Sequence, residues 1–309
     1  MGRIVDPAPV IRKRQPHPKG TENRPMIVTT LYLIAYSIAL LMLVSLGLAV
    51  IFGMMKVINL AHGEFIMLGA YACALSVNAG APLWLGFVAA AVSVGLFGIV
   101  VERFMIRFLY GRIVDTLLAT WGLSRFLVGL VTTIFGPQAR SVPVQFGNVS
   151  FGGMNFSSYN FLLIAAAIMM VVVTWAIARF TTAGLLVRGT MQDATVASAL
   201  GVNRNLVYMA TFGYGAALAG LAGAVLVPIT GASPSLGLFF VAKAFINVII
   251  GGHLPLLGTI AASSLFGSID GYISYIWSSV MGEVSVLIVA VILLRLLPLG
   301  ITGRLRSGL

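Results

Sequence analysis

The chain has 309 residues and a net charge of +11; 59% of its residues are hydrophobic and only 9% are charged. Soluble domains carry about 25% charged residues, and eight acidic residues cannot cover the surface of a protein of this size. The composition therefore excludes a soluble fold and predicts an all-α, polytopic transmembrane helical bundle. It does not indicate a nucleic-acid partner, because the basic residues lie in an N-terminal tail and at the ends of apolar runs, where positive charge orients a protein in the lipid bilayer.

Residues 1–26 form a polar segment that is rich in proline and in basic residues. Its cations are Arg3, Arg12, Lys13, Arg14, Lys19 and Arg24. No short apolar core followed by small residues marks a cleavage site, so the segment is predicted to be a disordered cytoplasmic tail rather than a signal sequence. Residues 27–309 are predicted to form one transmembrane domain.

Nine apolar runs approach or exceed the length of about 20 residues that crosses a bilayer as a helix. They occupy residues 28–52, 57–78, 83–105, 113–135, 159–180, 206–229, 236–252, 257–280 and 284–299. The seventh run is short and ends in Gly251 and Gly252, which indicates a broken helix. We therefore expect about 8–10 helices, one or two of them broken or re-entrant.

The stretch 53–71, GMMKVINLAHGEFIMLGAY, places polar residues inside an apolar sequence. An ionisable side chain at membrane depth is costly unless it faces protein or a water-filled path. Asn59, His62 and Glu64 beside Gly63 therefore predict a discontinuous helix whose freed backbone groups could hold a polar solute. The alternative is a loop between two ordinary spans, with His62 and Glu64 wetted at the interface.

Basic residues also predict which connections are cytoplasmic. They cluster at 103–112, at 179–204 and at 304–306. Two complete crossings between residues 28 and 78 would place the tail outside, whereas one crossing plus a re-entrant segment keeps it inside. The charge count therefore favours the interrupted helix.

Residues 136–158 form the longest predicted external loop, in which turn residues and a Val/Phe alternation suggest a small hairpin. The sequence also contains a weak internal echo. Ile58-Asn59 followed by Gly63 is similar to Ile246-Asn247 followed by Gly251, and paired interruptions are typical of transporters built from repeats. Asp270 lies within an apolar run and is either a functional carboxylate or a helix-packing hydrogen-bonding group.

Residues 181–205 are too short and polar to span the membrane. Apolar residues follow Gly184 at helical spacing, and Gly201 is a predicted helix stop. The pattern fits a helix on the cytoplasmic face or an ordinary connecting helix.

This stretch resembles the cytoplasmic coupling loop of binding-protein-dependent ABC importer permeases. The matching residues are Arg188, Asp193, Ala197, Gly201 and Val202. Residues 47–71 are similar to the hallmark of the branched-chain amino acid permease family, which reads close to G-x-x-x-I-x-F/N-x-A-H-G-E. Segments 216–226, 243–252 and 296–304 resemble further segments of that family in the same order.

The resemblance implies a bacterial inner-membrane permease subunit that carries branched-chain amino acids, or urea or short amides. ATP hydrolysis would belong to separate ATP-binding subunits; consistently, the sequence has no G-x-x-x-x-G-K-[ST] phosphate loop. An external solute-binding protein and a second permease, homologous or identical, are the other implied partners. No cofactor, metal or catalytic residue is expected on this chain. Gly189 and the Met191-Gln192-Asp193 string depart from the common pattern and shift the expected cargo towards urea or amides.

The solute path is expected to involve Asn59, His62, Gly63 and Glu64, because a zwitterion or urea needs donors and acceptors. A second polar wall would come from Asn247, Gly251 and Gly252. Alternatively, Glu64 could cap the helix or pair with Lys56.

The helix from Leu185 to Leu200 is expected to sit in a cleft of the ATPase, with Arg188 paired there or with Asp193. Asp193, Ala197, Gly201 and Arg204 complete the predicted coupling residues. The runner-up function is an ion-coupled secondary transporter, which the intramembrane carboxylates would suit.

Overall fold

The computed structural model describes residues 23–142, 146–151, 154–252, 254–298 and 300–303. The elements in these ranges are α1 (Asn23–Met55), α2 (His62–Asn78), α3 (Leu83–Phe104), a short 3-10 turn (Ile106–Leu109), α4 (Ile113–Phe135), β1 (Asn148–Phe151), β2 (Met154–Ser157), α5 (Ser158–Phe180), α6 (Thr182–Gln192), α7 (Ala194–Ala199), α8 (Arg204–Thr230), α9 (Leu236–Gly251), α10 (Pro255–Ile276) and α11 (Ser279–Leu296).

Seven of these helices are long and apolar enough to cross a membrane: α1, α3, α4, α5, α8, α10 and α11. Helices α2 and α9, with 17 and 16 residues, are shorter and each follows a non-helical stretch. The predicted polytopic helical bundle with interrupted helices is therefore confirmed. The prediction of a disordered tail falls largely on residues 1–22, which lie outside the described ranges.

Helix α8 lies at the centre of the bundle, and the directions of the neighbouring helices are described relative to it. Helix α1 runs antiparallel to it, with Gly47 against Ala219 and Ile51 against Gly215. Helix α3 is also antiparallel, and the ring of Tyr110, just beyond α3, packs 4.9 Å from that of Tyr208. The basic connections at 103–112 and 179–204 therefore lie on one face, as the charge pattern predicts.

The C-terminal segment lies on this same face. Ile301 N donates a hydrogen bond to Ile250 O at 2.7 Å, and Leu254 N donates to the Thr302 hydroxyl at 3.2 Å. Pro255, the first residue of α10, contacts Gly53 near the end of α1. We call this the cytoplasmic face, because positive charge gathers there.

Helix α1 begins at the opposite face. Its residue Tyr32 packs 4.4 Å from the ring of Phe156 in β2 and accepts a 2.7 Å hydrogen bond from the Asn160 side chain. Helix α2 ends at that face too, so the structure contains the predicted interruption and still crosses twice before residue 79. The structure does not support the charge count that placed the tail inside, because the broken segment completes a crossing. The tail's placement remains a prediction.

The external loop contains the predicted hairpin. Strands β1 and β2 pair antiparallel, with Asn148 opposite Ser157 and Phe151 opposite Met154. Arg140 and Ala232 exchange backbone hydrogen bonds of 2.9 and 2.8 Å. The loop is thereby tied to the segment that follows α8.

The connection between α3 and α4 is anchored by a hydrogen bond between a half-buried tyrosine and a buried carboxylate. The Tyr110 hydroxyl donates a short hydrogen bond to the Glu102 carboxylate, which is 1% exposed. Burial, together with that carboxylate, raises the pKa of Tyr110, so the phenol keeps its proton and remains the donor.

Helices α2 and α8 approach closely because glycines line their contact. A side chain added at Gly69 would collide with the backbone of Gly220, and one at Gly223 would collide with the carbonyl of Ile66. Small residues allow this kind of close packing where lipid supplies no hydrophobic drive between helices. The beginning of α2 is thereby fixed inside the bundle.

We expect Gly223→Val to destabilise the protein, because the added branched side chain must displace the α2 backbone. Overpacking of this kind costs about 1–3 kcal/mol. The measurement is the melting temperature of the detergent-solubilised protein. The control is Gly147→Ala in the external loop, where an added Cβ meets nothing within 4 Å. Equal melting temperatures for the two variants would contradict the close α2–α8 contact.

Candidate functional site

The interruption between α1 and α2 returns the chain to the middle of the bundle. Helix α1 ends at Met55, Lys56 adopts a φ of 52°, and α2 begins at His62. His62 Nε2 lies 2.9 Å from the carbonyl oxygen of Val44. Val44 lies 11 residues before Met55, which is about 16 Å back along α1. Residues 56–61 therefore re-enter the bundle, and the predicted discontinuous helix is confirmed.

Three peptide N–H groups freed by this break find partners. Ala61 N donates to the Asn59 side-chain oxygen at 3.1 Å, and His62 N donates to Asn59 O at 3.2 Å. Leu60 N donates to the hydroxyl of Thr120 on α4 at 3.1 Å. Asn59 is thus a structural part of the break as well as a polar group beside it.

Sequence reasoning missed the contribution of α4. Its buried face carries three hydroxyl side chains at every fourth position: Thr116, Thr120 and Ser124. That spacing was readable, since it places the three hydroxyls on one helical face towards the break. Helix α4 therefore covers the break from outside.

Three side chains form a buried polar centre at the start of α2: Asn59, His62 and Glu64, none more than 1% exposed. Asn59 Nδ2 and His62 Nδ1 have no hydrogen-bond partner within the described ranges, and the Glu64 carboxylate lies close to the hydroxyl of Ser124 on α4 without a well-aligned hydrogen bond to it. Because a carbonyl can only accept, the geometry assigns the ring proton to His62 Nε2 and leaves Nδ1 as an acceptor. The centre thus offers one donor and several acceptors to a small polar molecule.

The structure distinguishes two roles expected for Glu64. The carboxylate lies in the first turn of α2, where the helix dipole favours negative charge. Lys56 is exposed, and the ion pairs found in the described ranges do not join it to Glu64. The predicted Lys56 pair is therefore not formed.

Gly63 lies inside α2 and serves close packing. A side chain there would collide with the backbone of Gly237, the second residue of α9. Helix α8 ends at Thr230, and residues 231–235 are non-helical before α9 begins. The two interrupted helices therefore meet inside the bundle at their N-terminal ends. The structural counterpart of the first break is thus 231–235, and not the Ile246-Asn247 echo in the sequence.

The residues expected to form a second polar wall lie elsewhere. The Asn247 amide donates to the Ser263 hydroxyl at 2.7 Å, and its oxygen has no partner among the described residues. Asn247 lies ten residues beyond Gly237, about 15 Å along α9. Gly251 packs against Gly258, and Gly252, with a φ of 86°, packs against Gly300. The structure does not bring this group to the polar centre.

Asp270 belongs to a third location, between α1, α9, α10 and α11. It lines a cavity of about 140 Å³ together with Lys243 and Glu283, which form a 2.6 Å ion pair. The intramembrane carboxylates are therefore not gathered at one site.

The predicted coupling helix is two helices that meet at Asp193. Asp193 ends α6 and caps α7, accepting hydrogen bonds from Thr195 N at 2.8 Å and Val196 N at 3.0 Å. Its carboxylate therefore caps a helix, and no ion pair with Arg188 is formed within the described part of the chain. The prediction of one helix over 185–200 is wrong, because Asp193 favours a helix start over a helix interior.

The remaining coupling residues lie around this corner. Arg188 is half-buried and lines a cavity shared with Val50 and Met54 of α1. Ala197 is buried, and Gly201 has a φ of 88° just beyond α7, as its predicted role as a helix stop requires. Arg204 is the first residue of α8 and is exposed.

The α6–α7 corner presents an apolar surface at the cytoplasmic face. Leu185 is 61% exposed, Val196 55% and Leu200 80%. The name coupling surface denotes Leu185, Leu186, Met191, Val196 and Leu200. Contiguous exposed apolar side chains outside the membrane mark an interaction site.

Comparison with known proteins places this architecture in a family. The family model described as "Branched-chain amino acid transport system / permease component" matches residues 30–297. The branched-chain amino acid permease LivH of Escherichia coli K12 is 28% identical over 279 residues, 85% of this chain and 91% of LivH. BraD of Pseudomonas aeruginosa PAO1 is 26% identical over 281 residues, again 85% and 91%.

A solved structure supports the fold. The chain is similar to one in the structure titled "PsaBC from Streptococcus pneumoniae in complex with Fab", with a TM-score of 0.53 and 14% identity. The similarity covers 91% of this chain and 98% of that one. The resemblance noted in the sequence is confirmed: the chain belongs to the branched-chain amino acid ABC importer permease family and is a multi-pass protein of the inner membrane.

Proposed function

We propose that this chain forms, with a second permease, the path by which branched-chain amino acids cross the membrane. Separate ATP-binding subunits supply the energy, and an external binding protein delivers the solute. The observation that carries the proposal is the family match over residues 30–297, combined with an interrupted helix that holds unpaired polar groups in the bundle.

The location of the atypical residues favours amino acids over urea or amides as cargo. Gly189 and the Met191-Gln192-Asp193 string are the residues that shift the expected cargo towards urea or amides. They lie in α6 and at its end, on the cytoplasmic face. Residues there contact an ATPase rather than a solute. The relatives compared are named for branched-chain amino acids.

The polar centre is the proposed solute contact within this subunit. It is buried in the isolated chain, and α4 is its cover. Helix α4 exposes most of its surface, including Leu118, Trp121 and Phe126, so few internal contacts oppose its displacement. Movement of α4 would open Asn59, His62 and Glu64 to a solute between two permeases.

The coupling surface is the proposed seat of the ATPase. Its bent shape arises at Asp193, whose backbone N–H bonds to Gly189 O of α6 and whose carboxylate caps the start of α7. Closure of the ATPase would push this corner. Residues of α6, including Arg188, line a cavity together with residues of α1 and with Tyr214 of α8. The push would thereby reach the helices that hold the polar centre.

The function is tested with the complete complex in proteoliposomes. We expect leucine uptake that requires ATP and the external binding protein and persists when ion gradients are collapsed. Uptake driven by an ion gradient without ATP would instead establish a secondary transporter and overturn the proposal.

Removal of polar-centre side chains should lower leucine uptake. We expect Asn59→Ala and Glu64→Gln each to reduce the uptake rate about tenfold or more, because a hydrogen bond to a charged solute contributes about 1.5–3 kcal/mol. Ser76→Ala, on the same helix α2, is the matched control. Assembly is checked by size-exclusion chromatography. Normal uptake in both variants would remove these residues from the solute path.

Charge on the coupling surface should release the ATPase. We expect Val196→Glu and Leu200→Glu to abolish co-purification with the ATP-binding subunits, since an acidic group cannot be buried unpaired in an apolar contact. The control is Val149→Glu in β1, which is 46% exposed on the opposite face. Retention of the ATPase by both coupling variants would place its seat elsewhere.

A further inference from the structure

A single arginine stands on the outer face of α4 at membrane depth. Arg125 lies 12 residues from the first residue of α4 and ten from the last, so it is at least about 15 Å from either end. Its side chain is exposed, whereas the adjacent Ser124 is 3% exposed and belongs to the buried face. Arg125 therefore faces away from this subunit.

Arg125 forms no ion pair with the described residues of its own chain. Among the described residues, Lys243 is the other cation deep in a membrane-embedded helix, and it pairs with Glu283 at 2.6 Å. The charge of Arg125 reaches the Glu64 carboxylate on the buried side of α4, but the two groups form no ion pair. A guanidinium left against lipid is strongly unfavourable, so this face must meet water, protein or an anion.

The surroundings of Arg125 leave room for a small molecule. Gly122 and Gly129 flank it on the same helical face, one turn before and one after. A side chain added at either glycine would meet nothing within 4 Å. The guanidinium is thus accessible from both sides along the helix.

We propose that Arg125 binds the carboxylate of the transported amino acid in the path between this permease and its partner. A guanidinium presents paired N–H donors that match a carboxylate in a bidentate geometry. Urea and short amides have no carboxylate, so this contact selects amino acids over them. The inference rests on the proposed function, because it requires α4 to line the solute path.

Glu64 and Arg125 then bind opposite ends of the solute, and they lie on opposite sides of α4. A zwitterion needs acceptors for its ammonium group as well as a donor for its carboxylate. The carboxylate oxygens of Glu64 are such acceptors, because each can accept more than one hydrogen bond. Arg125 would take the carboxylate first, and displacement of α4 would expose Glu64 to the ammonium end.

The test uses thiol accessibility in the assembled complex. The natural cysteine, Cys73, is the only one in the sequence and is fully buried, so the background reaction is low. Gly122→Cys and Gly129→Cys are treated with an anionic and with a cationic methanethiosulfonate reagent of similar size. Val291→Cys is the control, because Val291 is 69% exposed on the apolar helix α11.

We expect both glycine-site cysteines to react, and the anionic reagent to react about tenfold faster, because a local cation concentrates anions. Arg125→Gln should bring the two rates together, and Arg125→Lys should preserve the preference. Leucine should slow the reaction, whereas acetamide at the same concentration should not. Arg125→Gln should also lower leucine uptake at saturating binding protein about tenfold or more.

Three results would overturn the proposal. The first is reaction at Gly122→Cys and Gly129→Cys no faster than at Val291→Cys, as expected if lipid or an acidic residue of the second permease covers this face. The second is equal reaction with the two reagents, and the third is equal protection by acetamide. Leucine uptake by the unmodified complex is measured in parallel, so failure of the transport function itself is recognised separately.

Discussion

Peptide groups that leave a helix inside a membrane bundle must find other partners, and this requirement organises the structure. No water is available in hydrocarbon to satisfy an exposed N–H or C=O. Residues 56–61 meet part of the requirement with the side chains of Asn59 and Thr120. After α8, part of the requirement is met by the backbone pairing of Ala232 with Arg140. The external loop and α4 are therefore supports for the two interruptions as well as connections.

The polar centre follows from this arrangement. A helix that begins in the middle of a bundle places its first turn, and thus His62 and Glu64, where an ordinary span has aliphatic side chains. The N-terminal ends of α2 and α9 meet at Gly63 and Gly237, so two positive helix ends lie near the Glu64 carboxylate. These helix ends stabilise the negative charge of Glu64. A polar solute would also encounter the hydrogen-bonding groups of Asn59 and His62 that lack a partner within the described ranges.

Hydropathy predicted most of the fold, because lipid imposes a length and a composition on each span. The first interruption was also predictable, since Asn59, His62 and Glu64 cannot lie in a simple span. The second was not, because residues 231–235 carry no charge. The similarity of Ile246-Asn247 to Ile58-Asn59 indicated a different place for it. Threonines on α4 were missed because such residues are tolerated in any membrane helix by bonding to their own backbone, as Thr120 also does. Charge counting did not predict that the broken segment reaches the opposite face of the bundle.

The meeting of Gly63 and Gly237 has a mechanical consequence. Helices normally hold their crossing angle by fitting ridges of side chains into grooves, and two glycines in backbone contact supply neither. The contact fixes the separation of α2 (17 residues) and α9 (16 residues) at their N-terminal ends, so a change in their mutual tilt would turn about this point. The end of α9 is hydrogen-bonded to the C-terminal segment at the cytoplasmic face. A movement of that end would therefore rotate α9 about its contact with Gly63, next to the polar centre.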